Sequence, residues 1–208
     1  MNFTLAQRLL AAGALCLAAL IFLVVTEARA RAAGTEVILR MQPVDPRALL
    51  TGHYIQLSFA DQLEAGEACP PLVAEAVETN FFRSPEDPHW LALKPKGDLH
   101  VLAGEYATKA EAMAHGPVVA RGSARCDSVF WATPGATDGG GEERVTVILQ
   151  LPVDRFHADQ DEAEALEKIL RDRISLDRLA AILSVSKDGE VRTKGIVVDG
   201  KRVELSWF

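Results

Sequence analysis

The chain lacks the residue clusters that usually carry metal-dependent chemistry. Its 208 residues include five histidines, none of them in an HxH, HExxH or CxxC-type arrangement. Zinc ligands normally come in such short spacings, so no zinc site is indicated. We predict no metal and no other cofactor. The histidines are His53, His89, His100, His115 and His157.

Motifs for nucleophilic attack and phosphate binding are also missing. Gly122-Ser123-Ala124-Arg125 lacks the second glycine of a nucleophile elbow. The glycines at 139–141 precede Glu142 and Glu143, whose charges would repel phosphate, and no Gly-Lys-Ser/Thr occurs. We therefore predict no catalytic residue, and an enzyme is the less favoured class.

The chain has fewer basic residues than acidic ones. The chain has 22 Lys and Arg against 29 Asp and Glu, giving a formal net charge of −7. Binding to nucleic acid needs a clustered basic surface, so the balance argues against a nucleic-acid partner. The mild acidity fits a soluble domain surface.

Cysteines are few and only two of the three are suited to pairing. Cys16 lies inside an apolar run, whereas Cys69 and Cys126 lie in the polar part of the chain. In an oxidising compartment we expect these two to form a disulfide, worth roughly 3–4 kcal/mol by closing a long loop. The alternative is two buried thiols.

The apolar run itself, Leu9 to Val25, has no charge and no proline. Its length is at the short limit for a membrane-spanning helix and above the usual core of a signal peptide. Arg8 and the chain amine precede it, which favours a cytoplasmic N-terminus, while Arg29 and Arg31 on the far side count against that orientation. We predict a cytoplasmic segment over 1–8, a transmembrane anchor over 9–26, a linker over 27–34 and an extracytoplasmic domain over 35–208.

A cleaved signal peptide is the alternative reading of the same segment. Ala28-Arg29-Ala30 has the small-x-small form that signal peptidase accepts. The arginine between the alanines and the length of the apolar run count against cleavage.

The rest of the chain predicts a β-rich α+β domain with one packed helix. Polar and apolar residues alternate over 53–60, as in a half-buried strand, and Asp188-Gly189 and Asp199-Gly200 predict hairpin turns. The helix is predicted over 159–171, where acidic residues come first and basic residues last. Strands are predicted over 35–41, 53–60, 89–93, 99–102, 118–121, 125–131, 144–151, 179–186, 190–198 and 202–207, with a flexible loop over 132–143.

A corner that contains Pro46 and Gly52 precedes the second predicted strand. Pro46 locks its backbone between the charges of Asp45 and Arg47, and Gly52 permits a tight approach. The structural interpretation is a rigid turn that sets strand register. The functional interpretation is a loop that presents Asp45, Arg47, His53 and Tyr54 to a ligand.

The stretch from Val44 to Phe59 resembles the signature of the GDYXXLXY family. Gly52, Tyr54 and Leu57 match named positions of the signature, while His53 replaces its aspartate and Phe59 its last tyrosine. Arg155-Phe156 and the closing hairpins are also similar to the family's later segments.

The resemblance implies a bacterial protein, anchored in the inner membrane or exported, whose activity is undetermined. It also implies a polytopic membrane protein as partner, with the domain in the periplasm or at the cell exterior. It supplies no catalytic residues.

Two classes of function follow from these observations. The first is a non-catalytic accessory or binding module that acts with a membrane partner through the Asp45–Tyr54 corner. The second is an envelope hydrolase in which His53 is the general base beside Asp45 or Tyr54. A cleaved, freely secreted protein is a third alternative.

The anchor prediction is tested by the intact mass of the chain recovered from native membranes. We expect the full-length mass, because the apolar run is long enough to stay in the bilayer. A mass that begins near Arg31 would instead identify a cleaved signal peptide.

Overall fold

The computed structural model describes residues 4–41, 54–56, 58–64, 67–73, 89–132, 141–153, 155–157 and 179–204. The predicted helix over 159–171 lies outside these ranges.

The predicted fold class is confirmed: a β-rich α+β chain with one long apolar helix at its N-terminus. The elements are α1 (Leu5–Ala33), β1 (Thr35–Arg40), β2 (Tyr54–Gln56), β3 (Phe59–Gln62), β4 (His89–Lys96), β5 (Leu99–Tyr106), α2 (Lys109–His115), β6 (Val118–Ala132), β7 (Gly141–Gln150), β8 (Arg155–His157), β9 (Leu179–Val185), β10 (Val191–Val198) and β11 (Lys201–Glu204).

Helix α1 runs further than the sequence predicts. Thr4 caps its start by accepting a hydrogen bond from the Gln7 N–H, and the Gln7 side chain accepts one from the Thr4 N–H. The segment over 27–34 was predicted as a linker, but it is helical as far as Ala33. Its alanines and arginines are strong helix formers, which accounts for the continuation.

Strands β1, β9, β10 and β11 form an antiparallel four-stranded sheet in that order. β9 is buried at all seven positions. Both predicted hairpin turns are present: Gly189 has a φ of 79°, and Asp199 and Gly200 have φ values of 53° and 74°. Two consecutive positive φ values match the right-handed twist of the strands, which is why Asp-Gly suits this turn.

A second antiparallel sheet has the order β3-β7-β6-β4-β5. Strand β6 was predicted as two strands broken at Gly122-Ser123, but it is continuous. Val118–Gly122 pairs with β4 on one edge, and Ser123–Ala132 pairs with β7 on the other. The glycine therefore marks the change of partner and not the end of a strand.

Two further boundaries differ from the prediction. Residues 141–143 belong to β7, although they were assigned to a loop, because they pair with the end of β6. The single strand predicted over 53–60 is two strands: β2 pairs with β8 in a two-stranded ribbon, and β3 joins the five-stranded sheet. Alternation continues through both strands and so hides the break between them.

Strand β1 joins the two sheets. It pairs with β9, its neighbour Met41 forms a bridge with Phe59 at the start of β3, and the Ile38 N–H donates to His100 on β5. β3 and β5 are the two edges of the five-stranded sheet, so β1 closes that sheet into a partial barrel. One hydrophobic cluster fills the space, with Val37, Leu39 and Met41 from β1 and its neighbour.

Replacing Gly122 by alanine tests the crossover in β6. An added Cβ would lie 2.5 Å from the Gln150 carbonyl oxygen and 3.0 Å from Leu91 Cδ1, so the backbone must shift. We expect a loss of about 1–3 kcal/mol in the free energy of unfolding, measured by denaturant titration.

Gly13→Ala is the matched control, because no atom lies within 4 Å of its added Cβ. It should not lower the unfolding free energy, because the added Cβ meets no atom and alanine is a better helix former than glycine. Equal stability of both variants would show that Gly122 does not hold the two sheet halves together.

Candidate functional site

A cavity of about 480 Å³ lies at the seam where β1 meets the two edges of the five-stranded sheet. We call it the seam cavity. β1, β3, β5 and β7 form its walls, together with the end of β4 and a segment that follows β3. The lining residues that enter the argument are Leu39, Arg40, Asp61, Glu67, Cys69, Lys96, His100, Leu102, Val147 and Leu149.

The floor of the seam cavity is apolar. Leu39, Leu102, Val147 and Leu149 line it and also belong to the main hydrophobic cluster. All four side chains are buried, so they are already positioned by core packing. Such a floor accepts an apolar group without rearranging the fold.

Asp61 brings a carboxylate to the inner wall. It lies opposite Val147 in the β3–β7 register, which puts its side chain on the same face as the core. Only 21% of the side chain is exposed, and Arg40 Nε lies 3.9 Å from its Oδ1. Burial raises the pKa of Asp61, and Arg40 and Lys96 offset that rise only in part.

His100 brings an imidazole to the opposite wall. Its Nδ1 is 3.3 Å from the Ile38 backbone nitrogen and accepts that N–H. Burial lowers the pKa of His100, which favours the neutral ring. A neutral ring that accepts at Nδ1 carries its proton on Nε2, so this nitrogen is a donor.

A strap formed by residues 63–64 and 67–71 crosses the seam cavity. The Leu63 N–H donates to the Val145 carbonyl at 2.9 Å, and Pro71 accepts from the Glu105 N–H at 2.8 Å. Between these ends Cys69 is joined to Cys126 on β6 by a disulfide, with Cα atoms 6.4 Å apart.

Charged side chains also form ion pairs along the outer part of the strap. Lys96 Nζ is 3.8 Å from a carboxylate oxygen of both Glu64 and Glu67. These groups are exposed, and surface ion pairs of this length contribute little to stability. The backbone bonds and the disulfide therefore set the position of the strap.

Six of the seven predicted motif residues lie outside the part of the chain that the structure describes. Asp45, Pro46, Arg47, Gly52, His53 and Leu57 lie outside the described residues. The backbone of Tyr54 pairs with that of His157 in the β2–β8 ribbon, while its side chain is outside the description. Both interpretations of the corner, including the hydrolase hypothesis for His53, stay predictions.

Sequence reasoning missed the polar groups of the seam cavity. Asp61 lies two residues after Phe59, which is 2% exposed, so alternation alone places this carboxylate on an inward face. His100 stands two residues before the buried Leu102 in the same way. A charged or titratable residue on the apolar face of a strand was the available signal.

The described geometry defines a β-rich domain with a strapped cavity, on a helix that is apolar and long enough to cross a membrane once. The sequence model of the GDYXXLXY protein family matches residues 16–196, which is most of the chain. The protein belongs to the GDYXXLXY family. Comparison with curated proteins gave no match, and neither did comparison with solved structures.

Asp61→Asn tests the electrostatics of the seam cavity. Because burial raises the pKa of Asp61, the folded chain holds this proton more tightly than the unfolded chain does. The contribution of Asp61 to stability is therefore greatest below about pH 4 and is lost as the pH rises through the raised pKa. Asparagine does not titrate, so we expect the variant to gain stability relative to the parent over that pH rise.

The measurement is the free energy of unfolding of both chains between pH 4 and pH 7.5. Asp188→Asn is the control, since Asp188 is exposed in the β9–β10 turn and is not one of the residues that line the cavity. A parent chain that gains stability over Asp61→Asn as the pH rises would contradict the burial argument.

Proposed function

We propose that the protein is a membrane-anchored, non-catalytic binding module. Its domain stands on the periplasmic or outer face of the membrane and acts beside a polytopic membrane partner. The observation that carries the proposal is the packed junction between α1 and the four-stranded sheet.

The apolar part of α1 is suited to lipid. None of its most hydrophobic 18-residue window is buried against the rest of the chain. Large side chains point outward along its length; Phe22, for example, is 71% exposed. Water would make this exposure costly, at roughly 25 cal/mol per Å² of apolar surface, whereas a bilayer removes the cost.

One stripe of α1 beyond the apolar run faces the domain. Glu27, Ala30 and Arg31 are half-buried, as is Gly34 just after the helix, whereas Ala28 and its other neighbours on this turn are exposed. This spacing of three and four residues is that of a single helix face. The stripe therefore packs one side of the helix on the sheet.

Gly34 and an ion pair between Glu27 and Arg192 also connect α1 to the sheet. An added Cβ at Gly34 would collide with Ser184 Oγ and lie 3.0 Å from the Val185 carbonyl oxygen, so only glycine fits between helix and sheet. Arg192 Nε on β10 lies 3.1 Å from Glu27 Oε1, and Arg192 also pairs with Glu190 at 2.9 Å. Burial by itself would lower the pKa of Arg192, but the hydrogen bonds to Glu27 and Glu190 and the charges of these carboxylates outweigh it, so the pKa is raised.

The junction fixes the height of the domain over the bilayer. Glu27 lies two residues beyond Val25, about 3 Å along the helix axis, which is within the headgroup layer. Arg192 and the β9–β10 turn next to it are held at that level. A partner in the same membrane would therefore always meet the same side of the domain.

Two observations support the outward orientation. Arg8 precedes the apolar run, which favours a cytoplasmic N-terminus. The Cys69–Cys126 disulfide suits an oxidising compartment such as the periplasm.

Site-specific photocrosslinking in cells tests the proposal. A photoreactive residue replaces Lys187, which is exposed in the β9–β10 turn beside the junction. We expect a crosslink to one polytopic membrane protein, which also copurifies in a constant ratio with the uncrosslinked chain.

The matched control places the same probe at Asp98, which is exposed in the β4–β5 turn. Strand β4 separates this turn by about 20–25 Å from Trp90, which lies against Gly189 of the β9–β10 turn. We expect no crosslink to the membrane partner from Asp98. The proposal fails if neither site yields a membrane protein, or if only Asp98 does.

A further inference from the structure

We propose that the seam cavity binds a small amphipathic ammonium compound, with its cationic nitrogen at Asp61 and its apolar body on the floor formed by Leu39, Leu102 and Val147. The inference deepens the binding role proposed above and does not depend on the membrane partner. It names the chemical class of a ligand for a site whose described lining residues lie outside the signature stretch.

The volume and the apolar floor of the cavity suit a ligand with a small apolar body. A volume of about 480 Å³ lies within the usual range for small-molecule pockets. The floor side chains are buried in the core, so they form a fixed apolar surface. The strap covers this surface and is joined to β6 by the Cys69–Cys126 disulfide.

The sign of the ligand's charge follows from Asp61, because Lys94 and Lys96, which also line the cavity, are exposed to water that screens their charge. Within the described part of the chain, Arg40 is its ionic partner, and 3.9 Å is too long for a hydrogen bond. Among the described residues, no donor lies close enough to this half-buried carboxylate to replace its lost hydration. An ammonium group supplies up to three such donors together with a positive charge.

Glu67 adds a second carboxylate on the strap side. It lines the same cavity, and its charge repels that of Asp61 and adds to the rise in the pKa of Asp61. Lys96 offsets Glu67 only loosely, at 3.8 Å, and more than half of the Lys96 side chain is exposed. A ligand cation between Asp61 and Glu67 would satisfy both carboxylates.

The polar wall opposite Asp61 permits a second contact. His100 Nε2 is a donor, because Nδ1 accepts the Ile38 N–H. A hydroxyl or carbonyl oxygen on the ligand matches this donor, but the ammonium contact does not require it. The simplest probe is therefore an unfunctionalised alkylamine.

The test is calorimetric titration of the full chain in lipid nanodiscs, with empty nanodiscs as the reference for partitioning. The probes are hexylammonium, hexanoate and hexan-1-ol, which share one apolar body and differ in charge. We expect hexylammonium to bind at least tenfold more tightly than either of the others.

Two variants locate the cation. Asp61→Asn should weaken hexylammonium binding about tenfold to a hundredfold, as expected for loss of a charge-assisted hydrogen bond. Glu67→Gln, at a more exposed position on the strap, should weaken it by a smaller factor. Asp188→Asn, in the β9–β10 turn and outside the cavity lining, is the control and should leave the affinity unchanged.

Three results would overturn the inference. Tighter binding of hexanoate would mean that the basic side chains set the ligand class. Unchanged hexylammonium affinity in both folded variants would mean that the carboxylates do not contact the cation. Failure of all three probes to bind would mean that the cavity does not take such ligands. None of these results bears on the crosslinking test, so the two proposals fail separately.

Discussion

The antiparallel pairing of β1 with β9 is the contact on which the other parts depend. Through it, a six-residue strand that directly follows α1 is fixed in the four-stranded sheet. The same strand closes the five-stranded sheet, because Met41 bridges to Phe59 and Ile38 donates to His100. The membrane helix, the core and the seam cavity therefore share one short segment of chain. A shift of β1 by one residue would turn its apolar face away from the core.

The seam cavity is a consequence of this incomplete closure. In the described residues, β1 meets β5 through a side chain and meets β3 through an isolated bridge, so the edges do not form a full backbone ladder. Space remains where ladder bonds and close packing would otherwise stand. The strap covers that space, and its disulfide reaches across to β6. Asp61 bears a desolvation cost in this arrangement, because its carboxylate lies in a poorly hydrated position.

Local pattern predicted much of the fold and little of the site. The strand over 35–41 and the turns at Asp188-Gly189 and Asp199-Gly200 are present because alternation and positive φ are properties of adjacent residues. The prediction was wrong at Gly122, where a glycine that breaks no strand allows β6 to change partners. Asp61 and His100 could have been identified from the sequence as polar residues on apolar strand faces. That they line one cavity depends on which strands become neighbours, and the sequence pattern does not show this.

The sequence by itself determined the apolar helix, the inward faces of the strands and the hairpin turns. Each of these depends on residues within a few positions of one another, where hydrophobicity and backbone preference act directly. Only the tertiary structure decided that the helix joins the sheet without a linker, that β1 closes the barrel, and that Asp61, His100 and the strap surround one cavity. Those features come from pairings between segments far apart in the chain, and local preferences do not select among such pairings.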